Sequence, residues 1–354
     1  MDQKFSVFTG NIGHSPYMFM WGNPCGLNAE GKIFKDNLQR KMDELKASGD
    51  VKGSVALGKK SVIDAVLSGE WVKYSSSPQR EEKIGITVNS LLKDRLWPCF
   101  FTLQELGLQS VSPIVPANSS LHHDLFTLSL PETEKALEKV VERGNAVFST
   151  SSKSKVLSTF TIEYDKPGTS EKKQTRRVPC YVVELETGLR ITVCSVHLSG
   201  YNSRAYLEKD PIQRQRFQDT YTEIQRELDI YANMAEEESK KFNSDIIILS
   251  GDFNQCGNTD DYIEQLNLVS HKRFLYKKGF MEDDTANETT TFDPSNTKHV
   301  SRRLDRIFYK SVPGSSWAVK QLVTKIQLPP DNIQISSLSD HALFVEGNFT
   351  AEKQ

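Results

Sequence analysis

Apolar and polar positions along the chain fall into two recurring patterns. Short runs rich in β-branched and aromatic residues predict strands: KFSVFTGN (4–11), PCFFTLQE (98–105), NAVFST (145–150), DIIILSGDFN (245–254), RRLDRIFYK (302–310) and HALFVEGNF (341–349). VPCYVVEL (178–185) and LRITVCSVHL (189–198) are two more, and the turn residues Glu186, Thr187 and Gly188 between them predict a hairpin. Elsewhere the spacing is helical. Residues 28–48 and EEKIGITVNSLLKD (81–94) predict amphipathic helices, and TEKALEKVVERG (133–144) predicts another with Gly144 as its stop. Phe217, Tyr221, Ile224, Leu228, Tyr231 and Met234 recur at steps of three and four, which predicts one long helix with a single apolar face over 211–240. The polar stretch 282–301 predicts a long loop. No internal repeat, low-complexity tract or linker interrupts the mixture, so one α/β domain spanning 1–354 is expected.

Several of these strands are apolar until their rim and then turn polar. Asn11 ends the first, Glu105 the second and His197 a later one; Asp252 and Asn254 follow the apolar run DIIIL, and Asp340 and His341 precede another. Residues two apart on a strand face the same side, so Asp252 and Asn254 are expected to converge. Carboxylate and amide oxygens gathered without cysteine form a hard-ligand set suited to Mg2+ or Mn2+ rather than zinc. Histidines beside such a set supply protons or stabilise charge, and the inventory as a whole fits phosphoester hydrolysis. Each residue also has an ordinary reading. Asp252 and Asn254 equally read as an Asx turn, Glu105 as an exposed strand end, and His197 as a core histidine. Asp305 equally reads as an ion-pair partner of Arg302, Arg303 or Arg306, and Arg204, shortly after VHLSG, as either a phosphate contact or a solvated cation. His14, His122, His123, His271 and His299 are expected at the solvent surface or in loops.

Composition narrows the partners. With 44 Lys and Arg against 46 Asp and Glu, the net charge of -2 gives no global basic field, so a polyanion must be met locally, at clusters such as Arg176–Arg177, Lys277–Lys278 and Arg302–Arg303. No run approaches the ~18 apolar residues of a membrane helix, and the first residues lack a signal-peptide pattern. Five scattered cysteines without a CxxC pair argue against disulfides and a zinc knuckle. An intracellular protein, cytoplasmic or nuclear, is expected.

Taken in order, TGNIG, LQEL, GNAVFST, VHLSG, GDFN, RLDRIFYK and SDHALFV resemble the endonuclease/exonuclease/phosphatase superfamily, with the deoxyribonuclease I-like fold, over residues 5–349. The resemblance implies a four-layer α/β sandwich of two facing mixed β-sheets with helices on the outer faces. It implies Mg2+ as cofactor, with Glu105 as the principal metal-binding carboxylate, Asn11 beside it and Asp340 as a second carboxylate. Asp252 would activate water, Asn254 and Asn145 would contact substrate, and His341 would stabilise the transition state while oriented by Asp305. His197 would contact phosphate or protonate the leaving group.

Within the superfamily, VHLSGY and RLDRI depart from the CHLxAH-like and WCDRI-like blocks of inositol-polyphosphate 5-phosphatases. RLDRIFYK with SDHALF is most similar to the 5′-tyrosyl-DNA phosphodiesterases, although TGN and GDFN replace the TWN and GDTN found there. The expected function is therefore phosphodiester hydrolysis in DNA, by a monomer. The alternatives are a sphingomyelinase-like lipid or phosphoinositide phosphodiesterase, compatible with GDFN and TTTFDPSNT, and a catalytically idle binding module. The 94 positions from Asn11 to Glu105 (105 − 11) exceed the family's usual connection, so an insertion is expected within 12–95. Its alternating Tyr17, Phe19 and Trp21 read as buried residues or as an aromatic ledge.

Overall fold

In the computed structural model, the structure describes residues 2–13, 27–75, 79–126, 143–150, 153–166, 174–199, 211–254, 263, 268–283, 304–327, 329–330, 333, 341 and 344–354. Two mixed sheets face one another. The six-stranded sheet contains β1 (Asp2–Asn11), β2 (Cys99–Gly107), β3 (Ser120–Phe126), β4 (Arg143–Ser149), β10 (Trp317–Gln327) and β11 (Phe344–Lys353), in the order β10-β11-β1-β2-β4-β3. The five-stranded sheet runs β5-β6-β7-β8-β9, from β5 (Ser154–Lys166), β6 (Gln174–Leu185), β7 (Arg190–His197), β8 (Ile246–Asp252) and β9 (Asp305–Ser311).

Side-chain alternation explains the layers. One face of β1, β2, β6, β7, β8 and β9 contributes Phe5, Val7, Phe100, Tyr181, Val193, Ile246, Ile248 and Ile307 to a core between the sheets. The opposite face of the five-stranded sheet is covered by α6 (Pro211–Lys241) and α7 (His271–Lys277); Ile224, Leu228 and Tyr231 of α6 pack on Cys180, Cys194, Ile247 and Leu249. The outer face of the six-stranded sheet is covered by α4 (Gln79–Leu92) and α5 (Leu108–Ile114), with Ile84 and Val88 against Phe8, Phe101 and Leu103. The result is the expected four-layer sandwich. Each fully buried Phe, Ile or Leu in these cores stabilises by roughly 1.5–3 kcal/mol.

The remaining helices, α1 (Ala29–Ala47), α2 (Val51–Leu67) and α3 (Trp71–Tyr74), share a separate small core of Leu27, Leu38, Val62, Ala65 and Val66. Gly144, expected as a helix stop, lies inside β4, paired with Leu106. Residues 133–142 and 284–300 lie outside the described residues, as do Tyr17, Phe19 and Trp21. No helix among the described residues is long and apolar enough to cross a membrane.

Candidate active site

The carboxyl ends of the parallel pairs β1–β2 and β7–β8 meet at one end of the sandwich, where β9 begins. This is the end of a mixed sheet where backbone pairing stops and side chains are free to converge. Asp252, 2% exposed, is the hub. Its Oδ2 accepts from Asn11 Nδ2 at 3.0 Å and lies 3.8 Å from both His197 Nε2 and His341 Nε2. Glu105 Oε1 stands 3.8 Å from the same His197 nitrogen. His341 Nδ1 is 2.7 Å from Asp305 Oδ2, and Asp305 is fully buried. With the carboxylate as acceptor, Nδ1 carries the proton and Nε2 is aimed into the site. Asn11, Glu105, His197, Asp252, Asp305 and His341 are thus one cluster assembled from five strands and the segment before β11.

Local backbone geometry does part of the aiming. Asn254 is not on the strand, which ends at Asp252; it turns at φ 51 and its N–H donates to Asp252 Oδ1 at 2.8 Å. The Asx turn is therefore real, and Asp252 serves both it and the cluster with different oxygens. Asn254 Nδ2 donates to Leu198 O at 2.7 Å, which fixes the chain just after His197. Glu105 has φ 58 at an irregularity in β2 between Leu103 and Leu106, where a bulge rotates it out of the regular pleat. Two non-glycine residues in this region, each costing roughly 1–3 kcal/mol, occur in one site.

Electrostatics single out the hub. Burial pushes the Asp252 carboxyl up to about 6; the His341 charge opposes this, Asp305 reinforces it, and the hydrogen bonds from Asn11 and the Asn254 N–H oppose it. Three carboxylates facing two imidazoles make a pocket that favours a cation. Its carboxylate and amide groups offer oxygen donors, while Cys99, Cys180 and Cys194 are buried in the apolar cores, so the chemistry fits a hard divalent ion. Among the described residues no three His, Cys, Asp or Glu already stand as a metal's ligand shell, and Asp340 lies outside those residues.

Asn145 is buried on β4, beside the Glu105 bulge, and its Nδ2 donates to Arg177 O at 2.9 Å. Arg204 and the arginines 302 and 303 lie outside the described residues. Arg306 pairs instead with buried Glu282, which leaves Asp305 to His341. His271, expected at the surface, is fully buried against Tyr221 with ring centroids 5.2 Å apart; burial and then Arg306 push it down to about 3.

Two features were missed in the sequence. Gly251 has φ 152, and a Cβ there would lie 1.8 Å from Val196 O, so only glycine lets β7 and β8 approach beside His197 and Asp252. Below the site, Thr102 and Ser250 hydroxyls meet at 2.8 Å and Gln104 bonds to Ser195. The signal was present as polar residues two positions before His197 and Asp252, on the same pleat face.

Residues 98–341 match the Endonuclease/Exonuclease/phosphatase family. Among solved structures, an endonuclease/exonuclease/phosphatase family protein from Bacteroides thetaiotaomicron is 15% identical, with TM-score 0.50 over 99% of this chain and 98% of that one. TDP2 from Caenorhabditis elegans is 13% identical, with TM-score 0.51 over 98% of this chain and 75% of that one. The endonuclease/exonuclease/phosphatase of Beutenbergia cavernae is 13% identical, with TM-score 0.52 over 99% and 72%. At such identities the likeness concerns the fold. No curated protein matches the chain.

Proposed function

Since this chain belongs to the endonuclease/exonuclease/phosphatase family, whose members are hydrolytic enzymes, we propose that it is a Mg2+-dependent phosphodiesterase acting on DNA. The observation that carries this reading is the convergence on Asp252 of an amide and two imidazoles, one of which also meets the Glu105 carboxylate, from segments far apart in sequence. Glu105 and Asn11, joined by Asp340, would hold the cation. A divalent ion held there would supply charge neutralisation for the phosphate oxygens and polarise the phosphorus centre.

The chain's own residues supply the rest. Asp252, held near neutral in its proton affinity, takes the proton from the attacking water. Asn11 and the Asn254 N–H fix that carboxylate's orientation. His341, locked by Asp305, presents Nε2 to the negative charge that builds on the phosphoryl oxygens, and His197 contacts the phosphate or protonates the departing oxygen. Asn254, Asn145 and Arg204 contact the substrate. DNA is favoured because RLDRIFYK and SDHALF resemble the 5′-tyrosyl-DNA phosphodiesterases. An intracellular monomer, Mn2+ as a substitute ion, and a substrate-facing insertion within 12–95 complete the proposal.

The test is hydrolysis of a panel of DNA, lipid and inositol phosphodiesters with Mg2+, for the wild type, Asp252→Ala and His341→Ala. DNA cleavage that falls about 10²–10⁴-fold in each variant, with circular dichroism unchanged, is expected. Preference for a lipid would replace the substrate, and no turnover of any panel member would end the enzyme reading.

A further inference from the structure

One pleat below the cluster, the space between the sheets changes from apolar to polar. On β1 the inward series runs Phe5, Val7, Thr9, Asn11; on β7 it runs Ile191, Val193, Ser195, His197; on β8 it runs Ile246, Ile248, Ser250, Asp252. β2 matches with Phe100, Thr102 and Gln104. Thr9, Thr102, Gln104, Ser195 and Ser250 are all fully buried, so solvent does not account for their polarity. An apolar layer would fill the same space without any hydrogen bonds to satisfy. A buried polar layer differs in being directional: it holds only when its partners keep one alignment.

Gln104 is the centre of this layer. Its Nε2 donates to Ser195 Oγ at 3.0 Å, and Ser195 Oγ donates in turn to Leu103 O at 3.1 Å. Thr9 Oγ1 reaches Gln104 Oε1 at 3.5 Å, and the Gln104 carbonyl accepts from Ile12 N at 3.0 Å. The Leu103 carbonyl, the Ser195 hydroxyl and the Gln104 amide therefore close a ring across the two sheets, immediately before the irregularity at which Glu105 takes φ 58. Ser195 is two residues from His197, and Thr9 two from Asn11. One side chain thus connects the mounts of Glu105, His197 and Asn11.

We infer that Gln104 is a positioning residue: through the ring with Ser195 and Leu103 it holds the β2 irregularity that turns the Glu105 carboxylate toward His197 and Asp252, and thereby sets the affinity for the divalent ion. Gln104 touches neither substrate nor ion. The inference rests on the metal-dependent reading above and deepens it.

The experiment measures Mg2+ binding by titration calorimetry, with Mn2+ as a check, and the unfolding midpoint of the metal-free protein. The proteins are the wild type, Gln104→Met, Ser195→Ala, their double variant and Ser195→Thr. Loss of partners that orient ligands weakens metal binding by about 10–100-fold. A rise of about tenfold in the Mg2+ dissociation constant is expected for Gln104→Met and for Ser195→Ala, with little further rise in the double variant because both break one ring. Ser195→Thr keeps the hydroxyl and restores affinity, and the metal-free midpoints stay near the wild type. Unchanged metal affinity in both single variants overturns the positioning role while leaving the metal-dependent reading in place. So do losses that multiply in the double variant, or variants that lower only the metal-free midpoint. A wild type that binds neither ion overturns that reading and this inference together.

Discussion

At the scale of the residue, Asp252 pits stability against function. Its carboxyl is pushed from an ordinary 3.8 to about 6 by burial, so between these values the folded protein binds a proton that the unfolded chain has released. The contribution of this carboxyl to the stability of the metal-free protein therefore falls as pH rises through that window and is flat above it. Asp252→Asn removes the titration. The variant is expected to be more stable than the wild type by roughly 1–3 kcal/mol at pH 7 without metal, because the raised proton affinity of the carboxyl sets the ceiling and one hydrogen bond to Asn11 or Asn254 is lost in exchange. The gain should vanish near pH 4, where both proteins are uncharged at this position, and activity should be lost at every pH. Denaturant titrations in chelator at both pH values check this. Equal wild-type and variant stability at pH 7 would mean that the site imposes no charge burden. Adding Mg2+ should stabilise the wild type more than the variant, since only the wild type offers the full anionic pocket.

At the scale of the element, the site depends on how closely β7 and β8 run. Val196 pairs with Gly251 in the parallel ladder, and the Val196 carbonyl occupies the place where a side chain on residue 251 would begin. Gly251→Ala should cost at least about 3 kcal/mol in urea denaturation, because the strands must part and the new residue must keep a glycine's φ. A loss under about 0.5 kcal/mol would show that the ladder yields easily. The same strands explain what was legible in sequence. DIIILSGDFN and LRITVCSVHL declare themselves because apolar burial on both faces leaves near-continuous hydrophobic runs, and their polar ends stand out against that background. Phe253 within GDFN is a packing residue, fully buried and edge-on to Phe308 at 4.9 Å. The outer strands β5 and β10 were missed because SKVLSTFTIEYDK and WAVKQLVTKIQ mix polar residues into both faces. α2 was missed because Gly53, Gly58 and four valines weaken its helical signature. Gly58 is there for contact: a Cβ would come within 2.7 Å of Met42 Sδ on α1. Glu105's direction was illegible for another reason. Whether a bulge interrupts a strand depends on its partners, and LQEL carries no mark of φ 58.

At the scale of the whole molecule, α1, α2 and α3 behave as an appendage to the sandwich. The segment is tied at its base: Leu27 and Ser75 form an antiparallel bridge, Asn28 N donates to Tyr74 O at 3.1 Å, and Asn28 Nδ2 donates to Lys73 O at 2.6 Å. Its core draws every member from residues 27–74, with Phe34 stacked on Tyr74 at 4.7 Å, so the three sandwich cores lose no buried member when it is removed. The chain enters it after Asn11 and Ile12, at the end of β1 that carries the site, and leaves it toward α4, whose Ile84 and Val88 share a core with Ile12. An element joined in sequence to the strand end that carries Asn11 can shape which substrates reach Asp252 without taking part in the chemistry. Replacing residues 28–74 by a short Gly/Ser linker should therefore keep a cooperative unfolding transition and turnover of a minimal phosphodiester within a few-fold, because closing the gap costs only slowly growing loop entropy. Competition between large substrates, short DNA duplexes against single strands or lipid vesicles, should change by tenfold or more. Equal loss on the minimal and the large substrates would place the segment in support of the fold instead, and an unchanged ranking of the large substrates would remove it from substrate choice.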